Sequence, residues 1–136
     1  MPRQYLEAVK HPEQSVNPLF AFLGLEVETF EPDRAVLRLV CRPELVQGAG
    51  LVAGGVLATL LDETMAHAVL AGNQPGQKTT TVDMSVSYLR PVNPCDVLVC
   101  EAEVIKRGGR VLFVEACARV AAKEVARATA SFLLFA

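Results

Sequence analysis

The sequence has few residues of the kinds that bind metals or carry redox chemistry. It contains four cysteines and two histidines, with no Cys-x-x-Cys pair and no histidine clustered beside a cysteine. These absences argue against a zinc site and against a thioredoxin-type motif. We therefore expect no metal and no other cofactor. The cysteines are expected to be reduced, buried, small apolar residues: Cys41, Cys95, Cys100 and Cys117.

Charge of one sign and long apolar runs are also lacking. With 13 basic and 15 acidic residues the formal net charge is −2, and no basic stripe occurs, so we expect no nucleic-acid partner. The longest uncharged run, residues 45–61, is interrupted by glycines and is too short to span a membrane. The first residues are charged and lack a secretory signal, which makes a cytoplasmic location the default expectation.

What the sequence does have is a high apolar content. Apolar residues make up 51% of the 136-residue chain, and the mean hydropathy is positive. A single small domain exposes much of its surface, so this surplus indicates subunit interfaces. We expect one domain over residues 1–136, in which residues 1–18 form an N-terminal helix, at 2–10, and a loop that leads into an apolar stretch at 19–25.

Local patterns predict an α+β domain. The segment 54–70 is rich in helix formers and apolar on nearly every side, as expected for a helix enclosed by other structure. Alternating apolar and polar residues predict strands at 26–30, 35–41, 80–89, 97–106, 110–121 and 125–135. Turns are predicted at Glu31-Pro32-Asp33, Gly108-Gly109 and Lys123-Glu124. The order implies an antiparallel curved sheet wrapped around one long central helix.

The most informative segment is a glycine-rich loop that enters this helix, with a carboxylate two turns inside it: Gln47-Gly-Ala-Gly-Leu-Val-Ala-Gly-Gly-Val-Leu-Ala-Thr-Leu-Leu-Asp62. Together with TTTVDMSVSYLRPV, the RGGR hairpin and ARATASFLL, it resembles the PaaI-like and 4-hydroxybenzoyl-CoA thioesterase branch of the hot-dog superfamily. The resemblance covers roughly residues 20–135. It implies a hot-dog fold, hydrolysis of an acyl-CoA, and a homodimer with active sites at the subunit interface, assembled further into a tetramer.

The resemblance also implies the roles of individual residues. The backbone N–H of Gly54 would bind the thioester oxygen, and Asp62 would be the nucleophile or the general base. Gln47 matches an amide residue that holds the thioester or the water, and Thr81 matches a hydroxyl residue that steadies the water or the carboxylate. Ala53 stands where many relatives have histidine, a departure that bears on substrate preference and rate.

Physical chemistry gives these roles independent support. A helix N-terminus has unpaired N–H donors and a partial positive charge, which stabilise a developing oxyanion. Gly54 and Gly55 allow close approach because neither has a side chain. A thioester is already activated, so one carboxylate with a water can suffice, and the chain has no plausible Ser-His-Asp triad. Three arginines are candidates for binding the coenzyme A phosphates: Arg90, Arg107 and Arg110.

Several alternatives stay open at this stage. Glu63 is a rival carboxylate that points about 100° away from Asp62 on the helix, and the glycines could serve only close packing. His67, five residues after Asp62, is better explained as a structural histidine and is badly placed for the Asp-His pair of a hydratase. The competing function is a non-catalytic acyl-CoA-binding module. Release of free thiol separates it from an enzyme that acts on aromatic, aryl-acetyl or medium-chain acyl-CoA.

Overall fold

A computed structural model describes residues 2–135; Met1 and Ala136, the ends of the predicted domain, lie outside them. The helices are α1 (Pro2–Val9), α2 (Pro18–Leu23) and α3 (Gly54–Gly72), with a 3-10 turn at Pro43–Leu45. The strands are β1 (Leu25–Glu31), β2 (Arg34–Val40), β3 (Lys78–Tyr88), β4 (Val97–Arg107), β5 (Val111–Val120) and β6 (Lys123–Phe135). They form one antiparallel sheet in the order β1-β2-β4-β5-β6-β3. This is the predicted α+β arrangement.

The inner face of the sheet follows from the alternation in the sequence. In β5 the side chains of Leu112, Val114 and Ala116 are buried, whereas Phe113 and Glu115 between them are exposed. Successive side chains of a strand point to opposite faces, so one face of β5 packs against α3 and the other is open. The same alternation in β4 and β6 extends this buried face across the sheet.

Helix α3 is enclosed by the sheet and contacts all six strands. Its buried side chains cover roughly half of the helix circumference, the side chains on the remaining side are half-buried, and Gly55 is the one residue of α3 that is exposed. The nearly uniform apolar character predicted from the sequence therefore has its physical explanation in a sheet that wraps the helix. None of the helices within residues 2–135 has both the length and the apolar character needed to cross a membrane.

The carboxyl end of α3 is held by an arginine from the β4–β5 hairpin. Arg107 donates hydrogen bonds to the carbonyl of Val69 at 2.9 Å, to Oδ1 of Asn73 at 2.8 Å and to Oδ1 of Asp33 at 2.6 Å. A cation at this position complements the negative end of the helix dipole. A side chain at Gly72 would lie only 1.9 Å from the Asp33 carboxylate, so the close approach of this cluster requires glycine there.

Three features differ from the sequence-based expectations. Residues 18–23, predicted to follow a loop as an apolar stretch, form α2, whose first turn Asn17 caps by accepting from the N–H of Phe20. The β5–β6 turn is Ala121-Ala122, not Lys123-Glu124. Both alanines have positive φ, 48° and 70°, a conformation usually indicated in a sequence by Gly, Asn or Asp. Cys95 is exposed, although the other three cysteines are buried and free as predicted.

Candidate active site

A short hairpin-like loop leads the chain into α3. Val46 and Val52 form a β-bridge, and the N–H of Gln47 donates to the carbonyl of Leu51 at 2.8 Å. Ala53, which follows, is extended (φ −64°, ψ 140°) and donates its N–H to the carbonyl of Leu45. These bonds fix the direction in which α3 begins at Gly54.

The amino end of α3 presents free backbone donors. Ala53 gives the helix no side-chain cap, and the N–H groups of Gly54 and Gly55 have no acceptor among residues 2–135. Because the helix dipole adds partial positive charge here, the two groups are suited to an oxygen that gains negative charge. The ring of Tyr88 packs against Gly54, 3.3 Å from the position that a Cβ would take.

A pocket of about 350 Å³ opens beside this helix end. It brings together Gln47, Gly54 and Arg90, three of the residues selected from the sequence. The rest of the wall consists of Tyr88 and six apolar residues: Leu51, Val52, Leu57, Leu89, Pro91 and Val92. A pocket that is mostly apolar, with a few convergent polar groups, is the usual form of a small-molecule site.

Asp62 and Thr81 are also brought together, but away from this pocket. The hydroxyl of Thr81 donates to Oδ1 of Asp62 at 2.9 Å, while Oδ2 of Asp62 has no donor among residues 2–135. The β3–β6 register shifts between Thr81 and Asp83, so Val82 is an extra residue that is exposed. Such a bulge redirects neighbouring side chains. Asp62 is eight residues after Gly54, which is about 12 Å along the helix axis.

Glu63 and His67 belong to a different cluster, on the side of α3 that faces the amino-terminal segment. Nδ1 of His67 lies 2.6 Å from the carbonyl oxygen of Glu63, and Nε2 lies 2.9 Å from the hydroxyl of Tyr5. A carbonyl only accepts, so Nδ1 carries the proton and Tyr5 donates to Nε2. Burial lowers the pKa of His67. The Glu63 carboxylate accepts from Asn17 at 3.3 Å. Because both ring nitrogens of His67 are hydrogen-bonded within the chain, His67 has the surroundings of a structural histidine.

The three arginines occupy different places. Arg90 is exposed at the pocket, with Nη1 donating to the carbonyl of Glu124 and its other nitrogens without a partner among residues 2–135. Arg107 is committed to the opposite end of α3, where it forms the cluster with Asp33 and Asn73 described above. All three guanidinium nitrogens of Arg107 are thus hydrogen-bonded within the chain, which disfavours the phosphate-binding role expected for Arg107, and that role stays a prediction. Arg110 is exposed in the same hairpin.

A family model decides the class to which this fold and site belong. The model described as the Thioesterase superfamily matches residues 49–126, more than half of the chain. The chain belongs to the thioesterase superfamily. The matched segment runs from within the glycine-rich loop through α3 to the start of β6, so it includes the pocket residues other than Gln47 and the Asp62–Thr81 pair. The prediction that the chain is a thioester hydrolase is confirmed at the level of this family.

Individual relatives agree with this assignment. This thioesterase is similar to acyl-coenzyme A thioesterase 13 of Homo sapiens, with 28% identity over 82 residues that cover 60% of this chain and 58% of the relative. A phenylacetic acid degradation-related protein of Ralstonia eutropha shares the fold with a TM-score of 0.85 at 26% identity, covering 95% of this chain and 98% of that one. The PaaI protein of Escherichia coli superposes with a TM-score of 0.88 at 19% identity, covering 99% and 94%. The hot-dog fold and the PaaI-like resemblance predicted from the sequence are confirmed.

Sequence reasoning on this thioesterase missed one prominent pocket residue, Tyr88. Its hydroxyl donates to the carbonyl of Gly54 at 2.9 Å, although the two residues are 34 positions apart in the chain. The available signal was weak: Tyr88 is one of two tyrosines in the chain and lies two residues before Arg90. No local pattern indicates that the carboxyl end of β3 returns to the amino end of α3.

Proposed function

We propose that this thioesterase hydrolyses acyl-CoA thioesters to the free acid and coenzyme A, without a metal or other cofactor. The observation that carries the proposal is the pair of free N–H groups at the start of α3 beside a pocket of about 350 Å³. The acyl-coenzyme A thioesterase name of the human relative supports the CoA part. The Ralstonia protein, named for phenylacetic acid degradation, supports an aryl-acetyl group among the aromatic and medium-chain candidates.

In the proposed mechanism the thioester carbonyl oxygen accepts a hydrogen bond from Gly54 N–H. Asp62 attacks the carbonyl carbon directly, or takes a proton from the water that attacks it, and Thr81 holds the carboxylate through its 2.9 Å bond. The carbon–sulfur bond breaks and the CoA thiolate leaves. In the general-base route it takes up the proton that Asp62 removed from water, and the acid is released directly. In the direct route it takes up a proton from solvent, and water then hydrolyses the anhydride between Asp62 and the acyl group. Gln47 and Gly55 contact the thioester region, and Arg90 and Arg110 supply cations for the nucleotide phosphates. Every step thus uses groups that this chain contains.

We further propose that each active site is shared by two subunits of a homodimer. Gly54 and Asp62 are about 12 Å apart along one helix, too far to act on the same carbonyl carbon. Among the described strands, β3 pairs only with β6, so its other edge is open, and Val82 and Tyr88 on it are exposed. A two-fold axis beside this edge would let Gly54 of one subunit meet Asp62 of the other, twice per dimer. Further assembly of two dimers gives the proposed homotetramer.

The proposal is tested by measuring thiol release from a panel of aryl-acetyl, aromatic, short, medium and long acyl-CoA esters. Asp62→Asn should keep its shape, bind acyl-CoA and lose kcat by about a hundred-fold or more, since the amide is neither nucleophile nor base. Glu63→Gln is the matched control. In the wild-type chain the Glu63 carboxylate accepts from Asn17 at 3.3 Å and not from Thr81, so we expect the Glu63→Gln variant to have a kcat within a few-fold of wild type.

The outcomes separate enzyme from binding module. Thiol release that Asp62→Asn abolishes and Glu63→Gln retains supports both the reaction and the assignment of the carboxylate. Equal losses from the two variants would mean that the wrong carboxylate has been chosen. Binding of acyl-CoA by the folded wild-type protein without any thiol release across the panel would favour the non-catalytic module.

A further inference from the structure

Tyr88 is held against the first peptide of α3 by the sheet. It is the last residue of β3 and pairs with Ala126 of β6. The two residues that follow it, Leu89 and Arg90, both donate their N–H groups to the carbonyl of Val125. The backbone on either side of Tyr88 is therefore anchored to β6, and the phenol reaches the Gly54 carbonyl from a fixed base.

The hydrogen bond from Tyr88 acts on a peptide group with two functional ends. The carbonyl of Gly54 and the N–H of Gly55 belong to one planar unit. A donor on the carbonyl fixes the orientation of the whole plane, and it also polarises the N–H at the other end, because linked hydrogen bonds strengthen one another. Gly55 is exposed, and its N–H has no acceptor among residues 2–135. It is thus available to a ligand.

We propose that Tyr88 is a positioning residue that orients and polarises the Gly54–Gly55 peptide, making Gly55 N–H a second donor to the thioester oxygen beside Gly54 N–H. This inference rests on the proposed function. Two converging N–H groups are the usual form of an oxyanion hole. The ring of Tyr88, 3.3 Å from the place of a Gly54 Cβ, packs directly against Gly54 and lines the same pocket.

Tyr88→Phe removes the hydroxyl and keeps the ring that lines the pocket. We expect kcat to fall roughly 5- to 20-fold, less than when an oxyanion donor is itself removed, with KM within about two-fold of wild type. Tyr5→Phe is the matched control, because Tyr5 is the other tyrosine of the chain and its hydroxyl bonds to His67 and Asn17 away from the pocket. Tyr5→Phe should leave kcat unchanged, while its effect on thermal stability should be comparable to that of Tyr88→Phe.

A spectroscopic measurement reports on the donors directly. Phenylacetyl-CoA labelled with ¹³C at the thioester carbonyl is bound to Asp62→Asn and to the double variant Asp62→Asn/Tyr88→Phe, and the carbonyl stretch is compared by difference infrared spectroscopy. Stronger hydrogen bonds to the oxygen lower this frequency. Relative to free phenylacetyl-CoA, we expect the carbonyl stretch to shift to lower frequency when the ester is bound to the single variant, and to shift by less when it is bound to the double variant.

Three results would overturn the inference. A loss in Tyr88→Phe that appears in KM and not in kcat would show a binding role for the hydroxyl. Equal carbonyl shifts in the single and double variants, while the wild type is active, would overturn the role of Tyr88 and leave the proposed function intact. Absence of acyl-CoA binding and of thiol release by the folded wild type would overturn both.

Discussion

The division of the active site between two subunits is tested by combining two inactive variants. Gly54→Pro removes the proposed oxyanion donor, and Asp62→Asn removes the nucleophile or base. Proline suits the first helical position. The preceding Ala53 already has the extended ψ of 140° that a residue before proline prefers, and the φ of Gly54 is not positive. Each variant alone should fold and lose about a hundred-fold or more in kcat.

Mixing restores a predictable fraction of activity. Unfolded together and refolded in equal amounts, the variants form mixed dimers about half of the time, and each mixed dimer has one site with both defects and one with neither. Half of the dimers with half of their sites intact gives roughly a quarter of wild-type activity. Native mass spectrometry of differently tagged chains measures the fraction of mixed dimers, and thiol release measures the activity.

The control isolates the donor from the crowding that proline also introduces. Gly54→Ala adds a Cβ that meets the Tyr88 ring at 3.3 Å but keeps the N–H, so it should retain much more activity than Gly54→Pro. No recovery in verified mixed dimers of folded chains would place the whole site within one subunit or remove Gly54 from it. If native mass spectrometry showed the wild-type protein to be a monomer under conditions in which it releases thiol, the shared site would be refuted outright.

Two further predictions concern the far end of α3 and the buried histidine. Arg107→Met should lower the free energy of unfolding by roughly 2 kcal/mol, because it leaves the Val69 carbonyl and the Asp33 carboxylate without their donor. Arg110→Met should leave the free energy of unfolding unchanged and raise KM for acyl-CoA. Denaturant titration measures the stability of both variants, and steady-state kinetics measures KM. Burial lowers the pKa of His67 in the folded protein, so as the pH falls the unfolded chain binds this proton first. The contribution of His67 to stability should therefore be constant above about pH 6.5 and fall below it, with a slope approaching about 1.4 kcal/mol per pH unit. His67→Gln should flatten this fall relative to wild type and the exposed His11→Gln should not; the same slope in all three proteins would contradict the assignment.

Much of the fold and part of the candidate site could be predicted from the sequence. The helix expected at 54–70 is α3, Gly54–Gly72, and each predicted strand lies within about two residues of an observed one. These features follow from periodicity, since side-chain direction repeats every two residues in a strand and every 3.6 in a helix. The glycine-rich loop before Asp62 was likewise visible, because its residues are neighbours in the chain.

The tertiary structure decided which of the selected side chains are free to act. Arg90 and Arg107 look alike in the sequence, but one borders the pocket and the other is bound to Asp33 and the end of α3. The contact of Tyr88 with Gly54 joins residues 34 positions apart. Local sequence reports propensity and the face on which a residue lies, whereas the partner that meets it there depends on how the sheet closes around the helix, and on contacts that form only between distant parts of the chain.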